Sequence, residues 1–102
     1  MDPADKSLVI TLHGDLGLAD RDRIAGLFPN PQAAERIVID CSDVNSMDSS
    51  ILALIMTYRR RVQIAGRDPL ATIVALARPR LHRLFELTGI CRAITVVSVE
   101  DK

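Results

Sequence analysis

Residues 37–62 read IVIDCSDVNSMDSSILALIMTYRRRV: an apolar run, a polar stretch, and a long segment with apolar residues at helical spacing. Residues 37–41 are almost continuously apolar, which predicts a central strand covered on both faces. Residues 42–48 contain polar turn formers, so we expect a loop there, with Val44 and Met47 as its inward-pointing anchors. A strand, a loop and a helix in this order predict one unit of an α/β fold.

The helix predicted over residues 50–65 carries one apolar stripe. Its apolar residues recur three and four positions apart, as on one face of an α-helix: Ile51, Leu54, Ile55, Tyr58 and Val62. Gly66 follows at the place where a glycine in the left-handed conformation commonly ends a helix. We therefore expect this helix to bury the stripe in the core and to end just before Gly66.

Asp48, Ser49 and Ser50 stand where this helix begins, so they lie beside backbone N–H groups that lack partners inside the helix. Aspartate and serine are preferred at that position, and one interpretation is helix capping alone. The other is that a serine hydroxyl is a modification site, where a phosphate would add roughly −1.5 to −2 charges beside Asp48. Such a change would leave the fold intact and alter the surface that a partner contacts. The residues by themselves leave both interpretations open.

The remainder of the chain alternates strands and helices. We expect a strand at 7–13 ended by a turn at 14–17, a short amphipathic helix at 19–28, a strand at 70–76, a helix from Pro79 through Leu87 ended by Gly89, and a strand at 93–99. This order predicts an α/β domain with a small four-stranded, mostly parallel or mixed sheet flanked by helices. We expect residues 1–102 to form a single domain, with residues 1–6 disordered.

Composition excludes several classes of function. The 102 residues include 13 Lys plus Arg and 13 Asp plus Glu, so no net charge favours nucleic acid or anionic lipid. No apolar run approaches the roughly 20 residues that span a bilayer, and the first residues do not resemble a secretion signal. We therefore expect a cytoplasmic protein without membrane contact. Cys41 and Cys91 lack metal-ligand spacing and are expected to fill the core, so we predict no metal and no cofactor.

Enzyme motifs are absent from the sequence. It contains neither a glycine-rich phosphate-binding loop nor the Gly-x-Ser-x-Gly turn of serine hydrolases. Ser49 with His13 is the one pair that a small serine hydrolase would use, and we keep it as a distant alternative. The sequence otherwise favours a protein without catalytic residues.

Three segments together resemble the STAS family, the anti-sigma factor antagonist domains. They are residues 14–16 after the first strand, residues 37–61, and residues 77–90, which read ARPRLHRLFELTGI. The similarity covers nearly the whole chain in the right order. Its most specific part is Met47-Asp48-Ser49-Ser50, which is similar to the family's Asp-Ser-Ser-Gly phosphorylation motif.

The resemblance implies a non-enzymatic regulator of transcription in a partner-switching circuit, as in bacterial stress responses. In such proteins the unphosphorylated form binds an anti-sigma factor that is also an ATPase-type serine kinase, and a metal-dependent serine phosphatase reverses the phosphorylation. By the same resemblance Ser49 is the phosphoacceptor, Ser50 the alternative, and Asp48 the acidic neighbour. The implied alternative is a STAS-like subunit or scaffold of another assembly, such as a lipid-transport complex or a stress-sensing particle.

The expected partner-binding surface surrounds this motif. It consists of Asp15, Asp43, Asn45, Ser46, Met47, Asp48, Ser49, Ser50, Leu52 and Met56. Leu52 and Met56 lie off the apolar stripe, so we expect them to be exposed and to contact a partner.

Two residues depart from the family pattern. Ile51 stands where the family commonly has glycine, and a β-branched side chain there would crowd a kinase active site. Gly17 stands where the family's Gly-Glu-Leu-Asp turn has its second acid, so that acidic group is missing.

Overall fold

The structure is a computed structural model that describes residues 7–33 and 35–99. Its centre is a four-stranded sheet whose strands follow one another in chain order, with every neighbouring pair parallel. The strands are β1 (Ser7–Leu16), β2 (Arg36–Met47), β3 (Thr72–Leu76) and β4 (Thr95–Ser98). The predicted α/β class and four-stranded sheet are confirmed. The expected disorder of residues 1–6 lies outside the described residues.

Helices connect the successive strands. They are α1 (Arg21–Ala25), α2 (Ser49–Ile64) and α3 (Pro79–Leu87), with short 3-10 helices at Leu18–Asp20, Pro69–Ala71 and Ile90–Arg92. As predicted, Pro79 is at the first turn of α3, where its missing N–H costs no hydrogen bond.

The predicted end of α2 is confirmed in detail. Gly66 has φ +80° and donates its N–H to the Gln63 carbonyl at 3.0 Å, and Arg67 donates its N–H to the Val62 carbonyl at 3.0 Å. These two bonds satisfy carbonyls that the last helical turn leaves free, and they form a Schellman motif. A left-handed residue is needed there, and glycine adopts that conformation without a clash of its side chain.

The core lies between α2 and one face of the sheet. All five residues of the predicted stripe on α2 are buried, with Ile51 and Ile55 at 0% exposure. Tyr58 closes one end, because its hydroxyl donates to the Pro29 carbonyl at 2.9 Å and its ring lies 4.7 Å from that of Phe28. The side chains of β2 that face the helix are Ile37, Ile39 and Cys41, all at or below 3% exposure.

The opposite face of the sheet carries no helix among the described residues. Strands that follow one another in order, each joined by a right-handed crossover, place their connecting helices on a single face. One row on the uncovered face runs across Val9, Val38, Ile73 and Thr95. Val9 is 62% exposed and Val38 is half-buried. The prediction that residues 37–41 are covered on both faces is therefore wrong, although β2 is a central strand as expected.

Both polar stretches that were predicted as turns belong to strands. β1 continues through residues 14–16 and β2 through residues 42–47, and the two segments pair with each other. Irregularities in the pairing, with Gly14 at φ +83°, accommodate the turn-forming residues. The prediction that Val44 and Met47 point inward is confirmed, since Val44 is 0% exposed and Met47 is 6% exposed.

The remaining differences concern boundaries and one cysteine. The helix expected at 19–28 is shortened to α1, and β3 and β4 each begin two residues later than predicted. Cys41 fills the core as expected, and burial, followed by the nearby Asp40 charge, raises the pKa of its thiol to about 12. Cys91 is exposed, so its predicted core position is wrong, because it lies in a surface 3-10 helix.

Candidate functional site

The ends of β1 and β2 and the start of α2 meet at the carboxyl edge of the sheet. β1 and β2 are paired to their last residues, Leu16 and Met47. Immediately after Met47, Asp48 donates its N–H to the Leu16 carbonyl at 3.0 Å. The chain then turns into α2, so the first helical residue, Ser49, is placed directly above this edge. This is the arrangement in which open α/β sheets expose residues for binding.

Asp48 caps the helix. Its Oδ1 accepts hydrogen bonds from the Ser50 N–H at 3.0 Å and from the Ser50 hydroxyl. The hydroxyl bond is the main cause that lowers the pKa of Asp48, and the N–H groups of Ser50, Ile51 and Leu18 act in the same direction. The carboxylate is thus ionised in neutral solution and bridges α2 to the chain that follows β1. The capping interpretation is correct for Asp48.

Ser49 and Ser50 differ in how their hydroxyls are engaged. The Ser50 side chain is half-buried and its hydroxyl donates to Asp48. Ser49 is exposed, and its hydroxyl has no hydrogen-bond partner within residues 7–33 and 35–99. Of the two serines, Ser49 is therefore the one that a modifying enzyme reaches without breaking the cap.

Acidic and polar side chains lie along the paired ends of β1 and β2 that lead to this helix start. Asp15, Asp43 and Asn45 are exposed, as expected for a surface that a partner contacts. Ser46 is half-buried and donates its hydroxyl to Asp15 Oδ1 at 2.8 Å, which links the two strands by their side chains. The structure therefore brings Asp15, Asn45 and Ser46 to the same edge of the sheet as Asp48 and Ser49, whereas Asp43 lies earlier on β2, opposite His13.

Two members of the expected surface are buried. Leu52 is 5% exposed and Met47 is 6% exposed, and both join the main core. The prediction that Leu52 is exposed is wrong, because the first turns of α2 are covered over more than the single stripe that its periodicity indicates. Met56 is half-buried, so it presents only part of its side chain.

The structure shows where the two residues that depart from the family pattern lie. Ile51 is 0% exposed and belongs to the core, which argues against crowding beside Ser49. At Gly17, an added Cβ would lie 3.5 Å from Asp48 Oδ2. The side chain of an acidic residue at position 17 would thus start close to the Asp48 carboxylate. Glycine at this position leaves the carboxyl edge of the sheet with less negative charge.

A hydrolase pair is not assembled here. His13 is opposite Asp43, four residues before the end of β2. A strand rises about 3.3 Å per residue, so His13 and the start of α2 are separated by roughly 13 Å along the strand. The other histidine, His82, has its Nε2 3.3 Å from the Ser98 hydroxyl. The His13 ring is therefore not placed to take a proton from Ser49.

Sequence reasoning overlooked a groove on the other side of the helix start. It is lined by Ser46, Met47, Arg80, Leu81, Arg83, Leu84 and Leu87. The available signal in the sequence was Leu87, which falls outside the apolar spacing of Leu81, Leu84 and Phe85, together with two arginines on the same helix. No group of three or more potential metal-ligating side chains is found within the described ranges, and no helix there is long and apolar enough to cross a bilayer.

Comparisons with solved structures show the same fold. The anti-sigma factor antagonist SpoIIAA in its unphosphorylated form has a TM-score of 0.68 at 20% identity, over 95% of this chain and 84% of that chain. A Thermotoga maritima protein, tm1081, described as a candidate anti-sigma factor antagonist, has a TM-score of 0.68 at 19% identity, over 89% and 79%. Phosphorylated SpoIIAA, a cell fate determinant of Bacillus, has a TM-score of 0.63 at 18% identity, over 95% and 87%.

Sequence comparison agrees with the fold. No curated protein sequence matches the chain. A family model described as "Mlab, STAS domain" matches residues 1–97, which is nearly the entire length. That coverage, together with the shared fold and the Asp48-Ser49-Ser50 turn at the expected helix start, confirms the resemblance, and the chain belongs to the STAS domain family.

Proposed function

We propose that this protein is an anti-sigma factor antagonist whose helix-start surface binds an ATPase-type anti-sigma factor kinase in the cytoplasm. Antagonists of the STAS family bind partners and do not catalyse reactions. Phosphorylation of Ser49 by the kinase releases the complex, and a metal-dependent serine phosphatase restores binding. Ser50 is the alternative acceptor. The observation that carries the proposal is the exposed, unengaged Ser49 hydroxyl beside a cap that is already complete.

The physical effect of a phosphate at Ser49 follows from the contacts around it. Asp48 already occupies the Ser50 N–H, and the Asp48 carbonyl accepts from Ile51 and Leu52 at 3.2 and 3.3 Å. The phosphate therefore finds few free donors and stays in solvent, with roughly −1.5 to −2 charges next to the Asp48 carboxylate. Asp15, which pairs with Ser46 at the strand ends, adds to the negative field at the same edge. A partner whose surface fits the neutral Ser49 hydroxyl would then have to approach this negative charge. Binding would be weakened by repulsion from the partner's own negative groups or by the cost of desolvating the phosphate.

A pull-down tests the proposal. Wild type, Ser49→Ala and Ser49→Asp are used as baits in native lysate with ADP or ATP, and the captured proteins are identified by mass spectrometry. We expect wild type and Ser49→Ala to retain an ATPase-type kinase and Ser49→Asp to lose it. Thr57→Asp is the matched control, because Thr57 is exposed on the same helix two turns further on. It adds the same charge away from the site and should still capture the kinase.

The site of modification is tested separately. The captured kinase is incubated with the protein and ATP, and the phosphorylated residue is located by peptide mass spectrometry. We expect phosphate on Ser49 and none on the Ser49→Ala variant. Modification of Ser50 in the wild type would assign the acceptor to the alternative position. Equal capture by all baits, with no phosphorylation, would contradict the switch.

A second candidate is a STAS subunit of another assembly, such as a lipid-transport complex or a stress-sensing particle. It is favoured by the matching family model, whose description is Mlab and not anti-sigma factor antagonist. In that case the captured proteins include no kinase that phosphorylates Ser49, and the three Ser49 baits retain the same partners.

A further inference from the structure

The groove beside the helix start has an apolar floor and an exposed apolar wall. Its volume is about 300 Å³. Met47 and Leu81 form the buried part, and Leu84 is half-buried against the core. Leu87 forms the outer wall and is 75% exposed, the second most exposed large apolar side chain among the described residues. An apolar depression of this kind gains free energy when a partner covers it.

The rim of the groove is positively charged. Arg80 and Arg83 line it, and both are exposed. Neither guanidinium forms an ion pair with any residue that the structure describes. No acidic residue lines the groove, and Glu86 is the single carboxylate in the sequence of α3. The groove thus combines an apolar centre with two free cations, and its charge complements carboxylates on a bound segment.

The groove adjoins the Ser49 surface. Ser46 and Met47 line it, and they are the last residues of β2 before the cap of α2. Ser46 also holds Asp15 by the hydrogen bond described above, so one residue touches both the acidic side and the groove. A partner that covers Ser49 and extends past Ser46 reaches the arginines of α3. The carboxyl edge therefore presents acidic groups on the β1 side and basic groups on the α3 side.

We propose that this groove is a second docking subsite of the partner-binding surface, and that it takes a protein segment in which a leucine-sized apolar side chain is flanked by carboxylates. The proposal rests on the proposed function, because it extends the surface around Ser49. A volume near the lower limit of small-molecule pockets suits one anchoring side chain better than a whole ligand. A central apolar anchor within a charged rim is also how protein interfaces concentrate binding free energy.

The probe for this subsite is a displayed library of random peptides selected on the wild-type protein. We expect the selected peptides to combine leucine, isoleucine, methionine or phenylalanine with neighbouring aspartate or glutamate. Their affinities are then measured by fluorescence anisotropy with synthetic labelled peptides, over a range of salt concentrations. Affinity should fall as salt rises, because the arginine rim is exposed and screened.

Matched variants localise the binding. Leu87→Ser and the double variant Arg80→Glu, Arg83→Glu change exposed side chains of the groove, and each should weaken binding by about tenfold or more. Ile64→Ser and Arg60→Glu are the controls. Ile64 is 77% exposed and Arg60 is exposed, and both are on α2 outside the groove. The controls should bind as the wild type does, and circular dichroism should show that all variants are folded.

Several results would overturn the proposal. They are selected peptides without carboxylates, equal binding by the Leu87→Ser variant and the wild type, and failure to select any apolar and acidic sequence. A wild-type dimer in sedimentation that becomes a monomer on Leu87→Ser substitution would show that a second copy covers the groove, and this also overturns it.

The proposal for the groove and the proposal for the Ser49 switch can be refuted independently. If the peptides depend on Leu87 but the Ser49 baits show no switching, the groove is supported and the proposed switch is wrong. If Ser49→Asp loses the kinase while both groove variants capture it as strongly as the wild type, the proposed function is supported and the groove is not a subsite.

Discussion

Replacement of Ile51 by glycine, the residue that the family commonly carries, should destabilise this chain strongly. Ile51 is 0% exposed and is one of the largest fully buried side chains of the core. Its removal leaves a cavity under the first turn of α2, and truncating a buried isoleucine to alanine costs about 2–5 kcal/mol. The further change to glycine adds about 1 kcal/mol through chain entropy.

The two contributions amount to roughly 3–6 kcal/mol, set against a total stability of about 5–15 kcal/mol for a typical domain. For a chain of this size the urea m-value is about 1.5 kcal/mol/M, so the unfolding midpoint should move down by roughly 2–4 M. Urea titration followed by far-UV circular dichroism measures this shift. Ile51→Val is the control, because it keeps a branched side chain and should cost only about 1 kcal/mol.

The result also tests whether Ile51 obstructs the switch. If the Ile51→Gly substitution lowers the free energy of unfolding by less than about 1 kcal/mol, the Ile51 side chain does not belong to the core. The argument from its burial is then wrong. If Ile51→Val is phosphorylated by the captured kinase at the wild-type rate, as we expect, the side chain does not crowd the acceptor. A markedly faster rate for Ile51→Val would restore the crowding interpretation.

Three further predictions concern the core. Tyr58→Phe removes the bond to the Pro29 carbonyl and should lower stability by about 0.5–1.5 kcal/mol, measured by urea unfolding; an unchanged midpoint would show that this bond contributes nothing. A thiol reagent at pH 8 should label Cys91 alone in the native protein and both cysteines in urea, and rapid native labelling of Cys41 would contradict its burial. Because the pKa of Cys41 rises from 9.0 to about 12 on folding, the unfolded chain binds fewer protons in that range, and stability should fall between pH 9 and 12.

The helices could be predicted from sequence because their signals are local. The Asp48 cap, the apolar stripe and Gly66 lie within one stretch of chain, and the two ends satisfy backbone groups of their own helix. The same holds for α3, which Pro79 begins and Gly89 follows with φ +76°. Such features act over three or four residues, so they can be recognised in the sequence without knowledge of the tertiary structure.

The carboxyl ends of β1 and β2 could not be predicted in this way. Residues 14–16 and 42–47 are rich in turn formers, and their intrinsic preference is against a strand. They become strands because each pairs with the other, and the Ser46 hydroxyl bonds to Asp15 across a sequence separation of 31 residues. The burial of Leu52 has the same origin, since the periodicity of one helix does not report how many neighbours pack against it. Pairing and packing between distant segments override local preference.

The contacts at the helix start indicate how a switch there would act. Asp48 is fixed by the Leu16 carbonyl, the Ser50 side chain and the Leu18 N–H, and Ser49 takes part in none of these bonds. A phosphate on Ser49 thus breaks no contact within the described residues and favours no second arrangement of the turn. The partner must then sense the added charge itself. Because that charge is exposed, the difference in partner affinity between wild type and Ser49→Asp should narrow as salt rises. A difference that does not depend on salt would instead require a conformational change of the turn.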